Sequence, residues 1–418
     1  MLETQPTTLG LKKSFGFGDR LGLATPGHLA AARAFAFAPI FAQQSIREMA
    51  RTQRTPEEVM RAAREALARA GYTGAWGADA DHLKTPEDVR RTAAAGFCFF
   101  TIDPSEFVNN QADRMPADAL EAEVAKIETD AARPDPGWKQ FYLNQRFDIG
   151  GGLALQFTRE SLLRAAVKYG RAIAHSAFLA GHIVRANPGR PFEIEVSVDE
   201  TDSPTSPLEH LFFGLELKRR QVPVVSLAPR FVGDFEKGID YRGDLNQFEA
   251  SLREHVAIAR FCGPYKISVH SGSDKFSAYP IIGRVCGDLL HVKTAGTSYL
   301  EALRVVARMA PAAFGEIAAY CRGRFDTDRQ SYHISTTSVE IQALPAFRGP
   351  AEEGRYLDEV VGRQLLHVTF GSVLTAGRDG TGRPFKDSIL ETLERHPELH
   401  LEFLQKHFVK HLSLLQKG

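Results

Sequence analysis

His82 and His270 each fall at the end of an apolar run, in the turns GADADH (77–82) and SVHSGSDK (268–275), which are rich in acidic or small residues. Imidazole nitrogens together with carboxylate oxygens suit zinc, manganese, nickel, cobalt or iron(II). Three protein ligands beside an open position mark a catalytic metal site. Most of the 14 histidines carry no such signal. His28, His175, His182, His210, His255, His396, His400, His407 and His411 lie in helical stretches or at their ends, and packing explains them. His291 sits nearer the start of its run, which suits packing or substrate contact, and His333 and His367 are placed to cap a site's mouth.

Residues of this kind need rigid elements to hold them together. Eight apolar runs end in polar clusters: Leu21–Ala24, Pro39–Gln43, Trp76–Asp79, Phe97–Asp103, Phe192–Asp199, Val224–Arg230, Lys266–His270 and Leu289–Lys293. Helical stretches join most of them. Thr55-Pro56-Glu57-Glu58 and Thr85-Pro86-Glu87-Asp88 each offer an N-cap, a proline at the first helical position and an acid at the capping-box position. Pro207–Arg220 and Asp244–Arg260 fill two further intervals. Alternating strand and helix signals predict an α/β fold, a (β/α)8 TIM-type barrel, with its chemistry at the C-terminal ends of the strands. The chain is expected to be one catalytic domain, with barrel strands over about 20–296, a helical insertion over about 106–191 and a helical C-terminal extension over about 297–418. Turn-rich spots at Arg133–Gly137 and Gly150–Gly152 break the insertion.

Residues two apart on a strand share a face. On the fifth run Glu193, Glu195, Ser197 and Asp199 therefore point one way and Ile194, Val196 and Val198 the other, and the polar face must look into the barrel. The same reasoning turns Lys266, Ser268 and His270 inward, along with His291, Lys293, Thr101, Asp103, Ser226 and Arg230. Charged side chains enter a core only when paired, so this many on inward faces calls for a solvated polar site or a metal. A purely structural ion-pair network is the bland alternative, and branched apolar side chains are what usually fill a barrel. The turns Ser271–Lys275 and Thr294–Ser298 offer hydroxyls and backbone N–H groups suited to an anion, or are simply two well-capped helix starts.

Bulk composition excludes several classes. Lys and Arg number 51 against 51 Asp and Glu, which gives no pull toward nucleic acid or an anionic membrane. Cys98, Cys262, Cys286 and Cys321 are scattered and lack CxxC spacing, so they read as reduced packing residues. No apolar stretch approaches the roughly 20 residues that span a bilayer, and the expected address is the cytoplasm. A glycine fingerprint for nucleotides is missing.

Ordered blocks then carry a resemblance. SFGFGDRLG (14–22), FAQQS (41–45), GADADH (77–82), TIDPS (101–105), EVSVDET (195–201), FEKGIDYRGDL (235–245), HSGSDKFSAYP (270–280), HVKTAGTSYLEA (291–302) and RQLLHVTFGSVL (363–374) resemble the tagaturonate epimerase family over nearly the whole chain. Members interconvert D-tagaturonate and D-fructuronate, and relatives act on tagatose and fructose. Family members carry a further segment before the first block, which here begins at Ser14. The resemblance implies Asp81 as proton acceptor, Glu195 as proton donor, and His82 and His270 as metal ligands, with Glu236 the chosen third ligand and Asp234 next. Expected substrate contacts are Gln43, Asp103, Asp199, Arg230, Ser271, Lys275, His291 and Lys293. Arg230 is the expected partner of the substrate carboxylate, because a guanidinium matches a carboxylate with two hydrogen bonds.

The expected reaction inverts carbon 4 of a 2-keto uronate, where the proton on carbon 4 is not acidified by the carbonyl. A retro-aldol route is therefore expected ahead of a carbonyl shift or a nicotinamide route. A metal-dependent aldose–ketose isomerase or class II aldolase would use the same side chains, and a non-catalytic sugar-acid-binding barrel is disfavoured. The expected partner is a small uronate or ketohexose, with self-association left open.

Overall fold

The structure is a computed structural model that describes residues 4–130 and 134–418. Arg133, in the first predicted turn of the insertion, lies outside the described residues. Eight parallel strands close a barrel: β1 (Ser14–Gly18), β2 (Ala38–Ser45), β3 (Gly77–Leu83), β4 (Phe99–Ile102), β5 (Glu193–Ser197), β6 (Val224–Ala228), β7 (Lys266–Val269) and β8 (Leu290–Thr294). Each pairs with its neighbours in sequence, and β1 pairs with β8 through Ser14↔His291 and Gly16↔Lys293.

Seven of the predicted strands lie where the apolar runs place them, and the first does not. Leu21–Ala24 is a turn, and β1 is the earlier SFGFG segment. Asp19 accepts hydrogen bonds from the N–H groups of Leu21, Gly22 and Ala24, which curls the chain away from the sheet directly after β1. Glycine weakens a strand signal, yet here the close approach of neighbouring groups favours glycine at Gly16 and demands it at Gly18. A Cβ at Gly16 would displace the Gln43 side chain of the neighbouring strand, and one at Gly18 would lie 2.5 Å from Ala295 Cα and 2.7 Å from Thr294 O in the backbone at the end of β8.

The predicted helices form with the predicted caps. Thr55 and Thr85 close capping boxes with Glu58 and Asp88, and Ser206 does so with Glu209. Between β4 and β5 the chain runs through short helices and a small hairpin (Phe147–Gly150 with Leu153–Leu155) before a long helix, Arg159–Ala186. That helix packs between Pro86–Ala95 and Pro207–Arg219, so it serves as the crossover helix of this β/α unit.

The eighth position of the helical ring is filled from far along the sequence. The helix after β8, Thr297–Met309, joins a second apolar core built from the C-terminal extension. The final helix, Pro397–Lys417, packs instead against Thr25–Ala32 and Tyr279–Cys286, the helices that follow β1 and β7. Its Phe408 lies edge-on to Phe15 and Phe17 of β1, with ring centroids 6.0 and 5.1 Å away. The four cysteines are buried and unbridged. At the N-terminal end of the barrel, Leu9 and Gly10 donate their N–H groups to the Glu193 carboxylate. No helix among the described residues is long and apolar enough to cross a membrane.

Candidate active site

Lys293, from β8, stands at the centre of the strand C-terminal ends. Its ammonium lies 2.8 Å from Asp79 Oδ2, 2.7 Å from Asp81 Oδ1 and 2.9 Å from Glu195 Oε1, and it donates to Thr101 Oγ1 at 2.6 Å. These groups are almost wholly buried, and three carboxylates around one cation explain how they tolerate it. Burial pushes Asp79 up to about 7 against the pull of Lys293, and the neighbouring Asp81 and Glu195 charges add to the rise. Burial also opposes ionisation of Asp81, but His82 and Lys293 outweigh it and hold that carboxyl at about 2. Glu195 lies well below its usual range, because Lys293 and His270 outweigh its burial.

Two histidines stand over this cluster, and each is oriented by a carboxylate. His82 Nδ1 lies 3.2 Å from Asp103 Oδ2, and His270 Nδ1 lies 3.3 Å from Asp199 Oδ1. Ser105 N–H and the Ser197 hydroxyl donate to those same two carboxylates. Both Nε2 atoms are thereby turned toward the acidic cluster. His82 Nε2 is 3.8 Å from Asp81 Oδ2, and His270 Nε2 is 2.7 Å from Glu195 Oε1. Burial resists protonation of both rings, but Asp81 and Asp103 raise His82 to about 9 and Asp199 raises His270 to about 10.

The local backbone serves this placement. A register shift between Ala80 and Leu83 puts a bulge in β3, and His82 has a φ of 54°. Ser271 (φ 49°) and Asp274 (φ 62°) share that left-handed conformation in the loop after β7. Such conformations cost of order 1–3 kcal/mol for non-glycine residues and gather where side chains must be aimed.

Asp81, His82 and His270 each offer a ligand atom, and these atoms lie within 4.8 Å of one another. Nitrogen and carboxylate donors with carboxylate-bound Nδ1 edges form the usual outer arrangement of a catalytic divalent site, so the residues present fit a metal. Glu195 Oε2 adds a buried oxygen with no protein hydrogen-bond partner among the described residues.

Other expected residues fall elsewhere. The Glu236 carboxylate accepts from Ser335 and Gln364, on the C-terminal extension, and does not join the two histidines. Asp234 is half-exposed beside Arg230 and His333. Lys275 donates to the carbonyls of Glu236, Ile239 and Ser273, so its three protons tie the loop after β6 to the turn after β7 and none faces a substrate. Burial pulls that ammonium down to about 7. His291 lies deeper in the barrel, 2.9 Å from the Ser14 hydroxyl. Gln43 donates to Thr294 O and lines the inner cleft. In the turn after β7 two N–H groups are already engaged, Gly272 with Lys293 O and Asp274 with His411, and the next helix starts only at Tyr279.

Two connected cavities open over the cluster. An outer cleft of about 220 Å³ includes Asp199, Arg230 and His270 in its walls, and an inner one of about 50 Å³ includes Arg20, Asp81, His82 and Lys293. They share Arg47, Lys237, His270, Ser271 and Tyr332. Arg20, Lys237 and Tyr332 escaped the sequence reading. Arg20 stands in the SFGFGDR block and Lys237 in FEKGIDYRGDL, but nothing in the local pattern marks either side chain as facing a cleft.

Known proteins decide what this barrel is. The tagaturonate epimerase family matches residues 1–415. The chain belongs to that family. It is 43% identical over 402 residues to the tagaturonate/fructuronate epimerase of Thermotoga maritima, covering 96% of this chain and 80% of the relative. A crystal structure of the fructuronate-tagaturonate epimerase of Cohnella laeviribosi, with one glycerol, superposes with a TM-score of 0.90 at 38% identity, covering 98% of this chain and 83% of that one. A probable tagatose 6-phosphate kinase from Sinorhizobium meliloti shares the fold alone, with a TM-score of 0.51 at 14% identity over 97% of this chain and 100% of that one. As a member of the tagaturonate epimerase family the protein is an epimerase, an enzyme of the isomerase class.

Proposed function

We propose that the protein inverts carbon 4 of a 2-keto uronate, interconverting D-tagaturonate and D-fructuronate, with a divalent metal held by His82, His270 and a carboxylate. The observation that carries this reading is the paired arrangement of the histidines, each with Nδ1 on a carboxylate and Nε2 over the Asp81–Lys293–Glu195 cluster. Asp81 is the carboxylate nearest to serving as third ligand, in place of Glu236. When bound, the metal would supply a Lewis acid for the carbonyl at carbon 2 and for negative charge developing beside it.

The chain's own residues handle the protons. The proton on carbon 4 is not acidic, so the base acts on the carbon 4 hydroxyl. Asp81, held ionised by its neighbours, accepts that proton as the bond between carbons 3 and 4 breaks to an aldehyde and an enediolate. A half-turn of the aldehyde presents its other face, the bond re-forms, and the new alkoxide at carbon 4 takes a proton back. Lys293 links Asp81 to Glu195 through 2.7 and 2.9 Å contacts, and this bridge lets the two carboxyls exchange acid and base roles. The buried cluster excludes bulk water from the enediolate.

The test is incubation of metal-loaded protein with tagaturonate, fructuronate, tagatose and fructose, read by chromatography. Interconversion of the two uronates, abolished by chelation and restored by Mn, Ni, Co or Zn, is the expected result. Full turnover by protein verified free of metal would remove the metal from the proposal. Isomers or three-carbon fragments as products would favour an aldose–ketose isomerase or an aldolase.

A further inference from the structure

A uronate differs from a neutral ketohexose by one carboxylate, and the cleft must hold that charge. Most cations near the strand ends are already engaged. Lys293 is surrounded by three carboxylates, Lys275 is bound to three carbonyls, and Arg47 pairs with Glu200 on the rim. Arg230, the expected carboxylate partner, stands on the outer wall with its guanidinium 3.9 Å from Asp234.

Two cations remain. Arg20 is 3% exposed and lines the inner cleft beside Asp81 and His82. Its Nε and Nη2 donate to Glu48 Oε1 at 2.9 and 2.8 Å, and its guanidinium carbon lies 3.5 Å from the centre of the Phe370 ring. This clamp fixes the guanidinium plane, yet Nη1 is buried with no hydrogen-bond partner among the described residues. A buried donor left unpaired is costly and calls for an explanation. Lys237 lines both cavities, donates to Ser271 Oγ at 2.5 Å, and makes no ion pair among the described residues. Glu48 already offsets the Arg20 charge, so Arg20 brings direction and Lys237 brings net positive charge.

We infer that Arg20 Nη1 and the Lys237 ammonium form the subsite for the substrate carboxylate and so set the preference for uronates over neutral ketohexoses. The inference rests on the uronate reading above. It assigns the anion to the inner cleft, between the proposed metal ligands and the C-terminal extension, rather than to Arg230 on the outer wall.

The test compares wild type, Arg20→Lys, Lys237→Met and Arg230→Ala. Tagaturonate serves as substrate, and tagatose as substrate or competitive inhibitor. Arg20→Lys keeps the charge beside Glu48 but loses the fork, and Lys237→Met carries the test if the Arg20 variant does not fold. In both, KM for tagaturonate should rise about 10- to 100-fold while kcat and the tagatose constant stay within about threefold. Equal losses on both sugars, no loss on either, or a uronate-selective loss in Arg230→Ala alone would overturn the assignment. Wild-type protein that binds tagaturonate without turning it over would overturn the epimerase reading instead. The subsite would then be judged by the same shifts in calorimetric Kd.

Discussion

Asp103 holds the Nδ1 edge of His82 at 3.2 Å, across the bulge that β3 makes beside β4. If His82 ligates through Nε2, this contact fixes its tautomer and strengthens it as a donor. Asp103→Asn keeps the shape and removes the charge. It should weaken metal affinity about 10- to 100-fold, measured by competition with a fluorescent chelator, while the melting temperature changes little. Unchanged affinity would leave Asp103 as a fold residue only.

The two proposed proton-transfer carboxyls differ in a measurable way. Asp81→Asn and Glu195→Gln should each lower turnover by roughly 10²–10⁴. Glu195→Gln should retain its metal. Asp81→Asn decides whether that residue ligates as well, since loss of metal by elemental analysis shows that it does and retention leaves it the base alone.

Away from the site, acid should destabilise the fold through buried neutral histidines. His255 is fully buried, with Nδ1 2.9 Å from His210 Nδ1, and His210 Nε2 in turn lies 2.9 Å from the Tyr265 hydroxyl. Burial pulls His255 down to about 4, and it outweighs the raising effect of the Asp19 charge to hold His400 at about 4 as well. Below the unfolded value of about 6.5 the unfolded chain takes up protons that the folded chain refuses. The contribution of His255 and His400 should therefore be level above about pH 6.5 and fall toward pH 4, by about 1.4 kcal/mol per pH unit for each. Urea midpoints at intervals from pH 7.5 to 4.5 check this, and His255→Gln should flatten the slope by about one proton. The same slope in His255→Gln as in wild type would refute it.

The closing helix carries a packing prediction. Phe408 is fully buried against Phe15 and Phe17 of β1, so Phe408→Ala should cost about 3–5 kcal/mol of unfolding free energy. Leu401 is half-buried at the edge of the same helix, and truncating it should cost less. Equal effects in denaturant titrations would mean that the ring is not closed by this helix.

Much of the barrel was legible because strand ends concentrate charge. Glu193, Glu195 and Ser197 alternate with Ile194 and Val196, and that period alone turns the polar face inward. His82 and His270 were legible for the same reason, being polar residues at abrupt ends of apolar runs. Ser14–Gly18 was not, since two glycines dilute its strand signal and Leu21–Ala24 mimics a run while Asp19 curls it. Glu236 had the right residue type in the right loop, but its partners Ser335 and Gln364 lie about a hundred residues further on, beyond any local pattern. Arg20 was hidden similarly, because Glu48 reaches it from one stretch of the chain and His367 and Phe370 from another more than three hundred residues on.

The eighth place in the helical ring belongs to Pro397–Lys417, while the strand it covers starts at Ser14. A ribosome must therefore make nearly four hundred further residues before the first strand receives its cover. Until then Phe15 and Phe17 remain open on their outer side, and the nascent barrel presents an oily seam to its surroundings. Closure joins residues almost four hundred positions apart, a long-range step that loop entropy makes slow. Synthesis in the cell should thus pass through a late stage at which chaperone capture competes with docking of the final helix.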